Sequence, residues 1–208
     1  MIKLAGLFSD HLNLNGDFGN LQVLDQQLSW RAMPHEIVSV ENTEDLVVAP
    51  NFILIGHGSE AAWADIESNF VALIPRLREL LSAGATILAV STGFEMAAKH
   101  GLINGVTVGA IDARISKFAI TQDDSGDVLG YVNTDTDLPA IYREGSFIGT
   151  TLHGPLLAKN SDLLESFLTQ ISANAGVSVS PIQDAKKADL LAGLIAEVWK
   201  LEVELANE

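Results

Sequence analysis

Short, nearly uninterrupted apolar runs separated by stretches of helical periodicity constrain this chain more than any other feature. Ile2–Phe8, Glu36–Val40, Asn51–Ile55 (NFILI) and Thr86–Val90 (TILAV) read as strands, the last with no polar residue in its interior. Such runs belong to a sheet covered on both faces rather than to one half open to water. Between them Leu21, Leu24 and Leu28 recur on one helical face, with Asp17 placed as the N-cap of that helix. Phe70, Leu73, Leu77 and Leu80 repeat the helical spacing, Pro75 is expected to break or restart that helix, and Gly84 to stop it. Strand–helix–strand alternation of this kind signals βαβ units and a parallel sheet.

The second half changes character. Val106–Ala110, Ile115–Thr121 and Val128–Val132 read as shorter strands with more polar alternation, and Asp124-Ser125-Gly126 as a turn. Phe147–Thr151 is a further strand, Asn133–Pro139 (NTDTDLP) a polar loop, and residues 161–174 and 184–206 two helices. In the last helix the Leu190, Leu194, Val198 and Leu201 stripe is expected to pack into the core. The expectation is one α/β domain over residues 1–208, with an open, mostly parallel, flavodoxin-like sheet flanked by helices and a more antiparallel second half. With 48% apolar residues the chain has enough material for such a core.

Charge and composition exclude several functions. Against 27 acidic residues stand 12 Lys and Arg, a formal net charge of −15, so the field repels nucleic-acid phosphates and anionic membranes. There is no cysteine, which removes disulfides, thiolate metal sites and a thiol nucleophile. Residues 1–9 are too short for a signal peptide and no apolar stretch is long enough to cross a bilayer, so the expected location is cytoplasmic.

Chemistry concentrates where strand Thr86–Val90 runs into Ser91-Thr92-Gly93 and a helix over Phe94–His100. A residue at such a turn projects from the carboxyl edge of the sheet, with helix N-terminal amides around it. Ser91 therefore reads either as a helix cap or as an exposed nucleophile on an elbow that lacks the first glycine of G-x-S-x-G. His153, between a strand and Gly154-Pro155, is the candidate general base. Gly56-His57-Gly58 frees the backbone to present N–H groups to a ligand, while His57 itself reads equally as an exposed loop side chain. His11, His35 and His100 read as surface or loop residues, Asn20 as ambiguous, and Asp123, Asp124 and Asp127 as a solvated turn. Neither H-E-x-x-H nor a G-x-x-x-x-G-K-[ST] phosphate loop occurs, so no metal and no cofactor are expected.

Taken in order, four segments carry a resemblance: Leu12–Asn20 (LNLNGDFGN), the strand with Gly56-His57-Gly58, ILAV followed by Ser91-Thr92-Gly93-Phe94-Glu95, and Gly149–Asn160 (GTTLHGPLLAKN). Together they resemble class I glutamine amidotransferase domains of the cobyric acid synthase (CobB/CobQ) type, nearest to the stand-alone GatD-type subunits, over about residues 5–170. The helix over 184–206 lies outside the match. The resemblance implies that a nucleophile on the elbow attacks the side-chain amide of glutamine and that ammonia passes to a Mur-ligase-type (MurT-like) partner, which amidates a peptidoglycan precursor. It assigns the base to His153, the oxyanion contacts to Gly56, His57, Gly58, Thr92 and Gly93, and the substrate carboxylate to Lys117 or Arg114. The orienting carboxylate is thought to come from the partner chain, since Pro155 stands two residues after His153.

The elbow departs from that family. Where the family reads C-G-G-Y-Q, this chain reads Ser91-Thr92-Gly93-Phe94-Glu95. A serine hydroxyl, unlike a thiol, is essentially un-ionised near neutral pH and depends on a full general-base partnership. Three readings follow: a glutaminase subunit with impaired or lost activity, a non-catalytic pseudo-amidotransferase that binds and regulates its partner, or a serine hydrolase using Ser91 and His153.

Overall fold

The buried runs assemble as one sheet. In the computed structural model, which describes residues 1–206, strands β1 (Ile2–Leu7), β2 (His35–Val40), β3 (Phe52–Ile55), β4 (Thr86–Val90) and β8 (Phe147–Thr150) are parallel in the order β2-β1-β3-β4-β8. Strand β7 (Ile141–Glu144) closes the far edge, antiparallel to β8. A second, three-stranded antiparallel sheet runs β5 (Ala110–Asp123), β6 (Gly126–Thr136), β9 (Leu152–His153).

Side-chain alternation explains why the central strands read as unbroken apolar runs. Phe52, Leu54, Leu88 and Val90 face α1 (Gly19–Trp30) and α4 (Ser161–Asn174), against Leu21, Leu24, Leu28, Leu164 and Phe167. Ile53, Ile55, Ile87 and Ala89 face α2 (Glu60–Ser82) and α3 (Thr92–Lys99), against Trp63, Phe70, Leu73, Leu77 and Phe94. A sheet with helices on both faces leaves its ligand crevice at the carboxyl ends of the strands, beside the point where strand order reverses. Here that edge gathers the segments after β1, β3 and β4 and the β8–β9 turn.

Several expectations are corrected. Pro75 does not break α2, which continues to Ser82. Pro75 and Val71 lie on the exposed side, so the helical bond lost at Pro75 leaves its carbonyl facing water. Val106–Gly109 is not a strand. Instead β5 and β6 form a long hairpin, and the polar segment from Asn133 to Thr136 belongs to β6 rather than to a loop. The stripe of α5 (Ala185–Ala206) is not core: no residue of α5 is buried, and Leu190, Leu194 and Leu201 are 65%, 51% and 62% exposed. This helix lies across β5 and β6, tied down by Trp199 Nε1 donating to the Lys159 carbonyl (2.5 Å) and by the Lys159–Glu202 ion pair (2.5 Å). No helix among the described residues is long and apolar enough to cross a membrane, and no group of three or more His, Asp or Glu there is placed to hold a metal ion.

Candidate active site

Ser91 occupies the N-cap position of α3 with φ 48° and ψ −113°, and its side chain makes no capping bond. The cap reading therefore fails, and the backbone is that of a sharp elbow. A positive φ costs a β-carbon-bearing residue on the order of 1–3 kcal/mol and persists only where its surroundings hold it. Here the Ser91 N–H donates to the Thr150 carbonyl on β8 (2.7 Å) and the Ser91 carbonyl accepts from Glu95 N–H (3.0 Å). Gly93 lets α3 start directly above β3: a Cβ there would stand 2.6 Å from the Ile55 carbonyl oxygen and 2.7 Å from that of Gly56. At Gly56 a Cβ would collide with the Leu12 carbonyl, which explains the glycine on this side of His57.

Asp17 is the fully buried centre of the edge and is not an N-cap, Phe18 holding that position. Its carboxylate accepts the His57 N–H (2.9 Å) and the Gly154 N–H (3.3 Å), pinning the turn after β3 to the turn after β9. Burial raises its pKa more than those two N–H groups and the charge of His153 lower it. Asn20 makes the same kind of link: Nδ2 donates to the Gly154 carbonyl (3.3 Å) and Oδ1 accepts the Leu157 N–H (2.9 Å).

The two imidazoles so brought together meet edge to face, with ring centroids 4.9 Å apart. Burial, then the charges of His153 and Arg114, lower the His57 pKa to about 4, so this ring is neutral at ordinary pH. Both His153 nitrogens are engaged. Asn15 Nδ2 lies 2.5 Å from Nδ1, and Nε2 lies 2.9 Å from the Asn133 carbonyl oxygen. A carbonyl only accepts, so Nε2 carries a proton, and in the neutral ring the lone pair of Nδ1 faces the Asn15 amide. Ser91 Oγ has no hydrogen-bond partner among the described residues.

Thr92 Oγ1 is the most heavily bonded atom here. It accepts the Gly58 N–H (3.0 Å) and the Trp63 Nε1–H (2.8 Å), and its own hydrogen faces the Gly58 carbonyl (3.1 Å) or His57 Nδ1 (3.1 Å). Beside it opens a cavity of about 670 Å³, lined by His57, Gly58, Trp63, Ser91, Thr92, Glu95, Arg114 and Asp135 among others. Burial, reinforced by Asp135, raises the Glu95 pKa. Arg114 Nε donates to Asn133 Oδ1 (2.7 Å), and its terminal nitrogens bond to no described residue. Lys117 is exposed on β5 and does not line the cavity, so of the two cations considered for a substrate carboxylate it is Arg114 that faces this space.

Sequence reasoning missed Asn133, Trp63 and Asp135. Asn133 and Asp135 read as loop because the polar run there hid a strand end. Trp63 has the ordinary spacing of a core residue, and its hydroxyl partner is 29 positions away. Asn15 sits inside the Leu12–Asn20 block, where only its neighbours drew attention.

No protein-family model matches the chain. It is 22% identical over 225 residues to a Staphylococcus aureus protein described as lipid II isoglutaminyl synthase (glutamine-hydrolyzing) subunit GatD, covering 92% of this chain and 93% of that one. The glutaminase domain of a Trypanosoma brucei CTPS, solved with bound acivicin, superposes with a TM-score of 0.55 at 11% identity, over 87% of this chain and 97% of the other. A Thermotoga maritima glutamine amidotransferase gives 0.51 at 13% identity, over 98% and 94%. The fold is that of a glutamine amidotransferase. The sequence relation to the staphylococcal subunit is distant but spans nearly the whole of both chains.

Proposed function

We propose that this chain is a GatD-like subunit of the CobB/CobQ amidotransferase type. It binds glutamine in the cavity at Ser91 and works in the cytoplasm with a MurT-like, ATP-dependent ligase that amidates a peptidoglycan precursor. The observation that carries the reading is Ser91 itself, held at positive φ on a strand-to-helix elbow beside a cavity that Arg114 also lines, its terminal guanidinium nitrogens bonded to no described residue. In this reading Arg114 takes the α-carboxylate of glutamine and Glu95 with Asp135 takes its α-ammonium group, while the side-chain amide extends towards Ser91.

Hydrolysis would have Ser91 Oγ attack the amide carbon while His153 takes the hydroxyl proton and returns it to the departing nitrogen, leaving an ester on Ser91 that water then cleaves. Two observations favour an impaired or purely binding role over a working serine hydrolase. Ser91 Oγ is not bonded to His153, and the lone pair of His153 Nδ1 is taken by Asn15. The test is ammonia release from L-glutamine by the wild type, Ser91→Cys and Ser91→Ala, each with and without a MurT-like ligase. Release by Ser91→Cys with partner present, well above the wild type and absent from Ser91→Ala, is the expected result. A Ser91→Cys/Thr92→Gly chain that also stays inert beside an active ligase, while the wild type still binds that ligase, would leave the pseudo-amidotransferase reading in its place.

A further inference from the structure

We propose that the Gly58 N–H and the Trp63 Nε1–H form a two-donor subsite for a carbonyl or carboxylate oxygen, and that Thr92 Oγ1 is its built-in occupant. Residue 92 then decides whether a ligand's oxygen can enter. The two donors come from separate elements, the turn after β3 and the first turn of α2, and converge on one oxygen at 3.0 and 2.8 Å. These are ordinary lengths for N–H donors aimed at a single acceptor. A hydroxyl oxygen has two lone pairs, and both are consumed here, so Thr92 is saturated as an acceptor and its oxygen is not available as a nucleophile.

The surroundings support a site for a ligand rather than a purely structural bond. Gly58, Trp63, Ser91 and Thr92 all line the same cavity, and Thr92 adjoins Ser91 in the chain. Trp63 is 5% exposed, so its indole N–H needs an acceptor within the fold or from a bound molecule. A glycine at position 92 would supply no such acceptor, leaving both donors directed into the cavity. That glutamine is the natural ligand rests on the function proposed above; the donor pair and its occupant do not.

The test uses the ¹⁵N-labelled full chain and two probes, L-glutamine and sodium acetate, against the wild type, Thr92→Gly and Thr92→Ser. Thr92→Ala replaces the glycine variant should that one unfold. The chain has three tryptophans, and loss of one indole signal in Trp63→Phe assigns the Trp63 Nε1–H. The expected result is that acetate, and glutamine where it binds, shift the Trp63 indole and Gly58 amide signals in Thr92→Gly. Wild type and Thr92→Ser should need at least about tenfold more probe for the same shift, since a ligand oxygen must displace the two hydrogen bonds that the hydroxyl accepts. Acetate shifting those signals only in Thr92→Gly, with glutamine perturbing nothing, upholds the subsite and overturns the glutamine reading. Glutamine perturbing Ser91 and Arg114 signals while neither probe moves Trp63 or Gly58 in any variant overturns the subsite and leaves the glutamine reading standing. Equal shifts in wild type and Thr92→Gly overturn the role of Thr92, and silence from both probes in all variants overturns both proposals.

Discussion

Asp17 offers the sharpest test of how the site is held together, because its role as a helix cap and its role as a buried bridge predict different energies. An N-cap aspartate replaced by alanine costs about 1 kcal/mol, and replaced by asparagine almost nothing, since both side chains cap equally well. In the structure the carboxylate instead accepts two backbone N–H groups from different turns while fully buried. Asp17→Ala removes both acceptors, and at about 1–2 kcal/mol for each N–H left unmatched in a half-buried setting the cost is about 3 kcal/mol. Asp17→Asn keeps one acceptor but turns an NH₂ towards the other N–H, for a cost of about 1–2 kcal/mol. For a chain of this length the alanine variant then melts about 6–12 °C lower. The pH dependence has a definite sign. Burial raises the folded-state pKa of Asp17 above its unfolded value, so between those two values the folded chain binds the proton more tightly and this group's contribution to stability declines as pH rises. Asp17→Asn abolishes that decline. Urea denaturation followed by circular dichroism, at several pH values, measures all three quantities. A cost below about 1 kcal/mol for Asp17→Ala, with Asp17→Asn indistinguishable from wild type, would refute the bridge and restore the cap.

Other outcomes follow from the same geometry. Ser91→Gly removes the Cβ from a positive-φ position and raises stability by up to about 1 kcal/mol, while Ser91→Val lowers it by about 2 kcal/mol or more; urea midpoints read both, and equal effects would deny the strain. The His57 imidazole, followed by its ring-proton shifts, titrates at about 4 rather than near 6.5. Because the folded value is depressed, this group's contribution to stability is lost as pH falls from the unfolded value towards 4, and His57→Phe removes that part of the acid sensitivity. On α5, Leu190→Glu and Leu194→Glu each cost within about 0.5 kcal/mol, whereas Leu73→Ala in the core costs about 2–5 kcal/mol. A large loss from either α5 change would show that stripe to be buried after all.

The central sheet was legible because both faces of each strand are covered, so the apolar runs of β3 and β4 could mean little else. The helices were legible where one apolar face repeats, as in α1 and α4. Reading failed where a local signal has two physical outcomes. Asp17 is a competent cap by type and position, yet Phe18 takes the N-cap position without a capping bond, and a contact 40 residues away claims the Asp17 carboxylate. Pro75 is a helix breaker in isolation, yet here the carbonyl it leaves without a helical donor, that of Val71, lies on the solvent-facing side of α2. The Asn133–Thr136 segment has no apolar residue, but pairing with β5 and the His153 contact make it a strand end. The α5 stripe has core-like periodicity and no second layer to cover it. Within the site, Ser91 and the 56–58 turn were visible as strand-to-turn punctuation. Asn133 and Trp63 were not, since the bonds that matter at those positions join residues far apart in sequence.

On the glutaminase reading proposed above, residues 91, 92 and 95 meet different physical demands of one reaction, although they fall within a single turn of helix. A hydroxyl at 91 supplies far less ionised nucleophile than a thiol would. A hydroxyl at 92 takes up donors that would otherwise meet the oxygen on which charge develops when an amide is attacked. A carboxyl at 95, its pKa raised by burial and by Asp135, sets the charge that faces an incoming amino acid. Groups that serve one transition state are strongly non-additive: losing the first removes most of the rate, and later losses then cost little. With a weak nucleophile at 91, substitutions at 92 and 95 would therefore change the rate little. The converse also holds. Placing a thiol at position 91 while Thr92 occupies the two donors supplies a stronger nucleophile without the oxygen subsite, and a single oxyanion donor is commonly worth about 3–4 kcal/mol of barrier. On that reading glutaminase chemistry on this scaffold depends on residues 91 and 92 together, with the second change worth more in the presence of the first than alone.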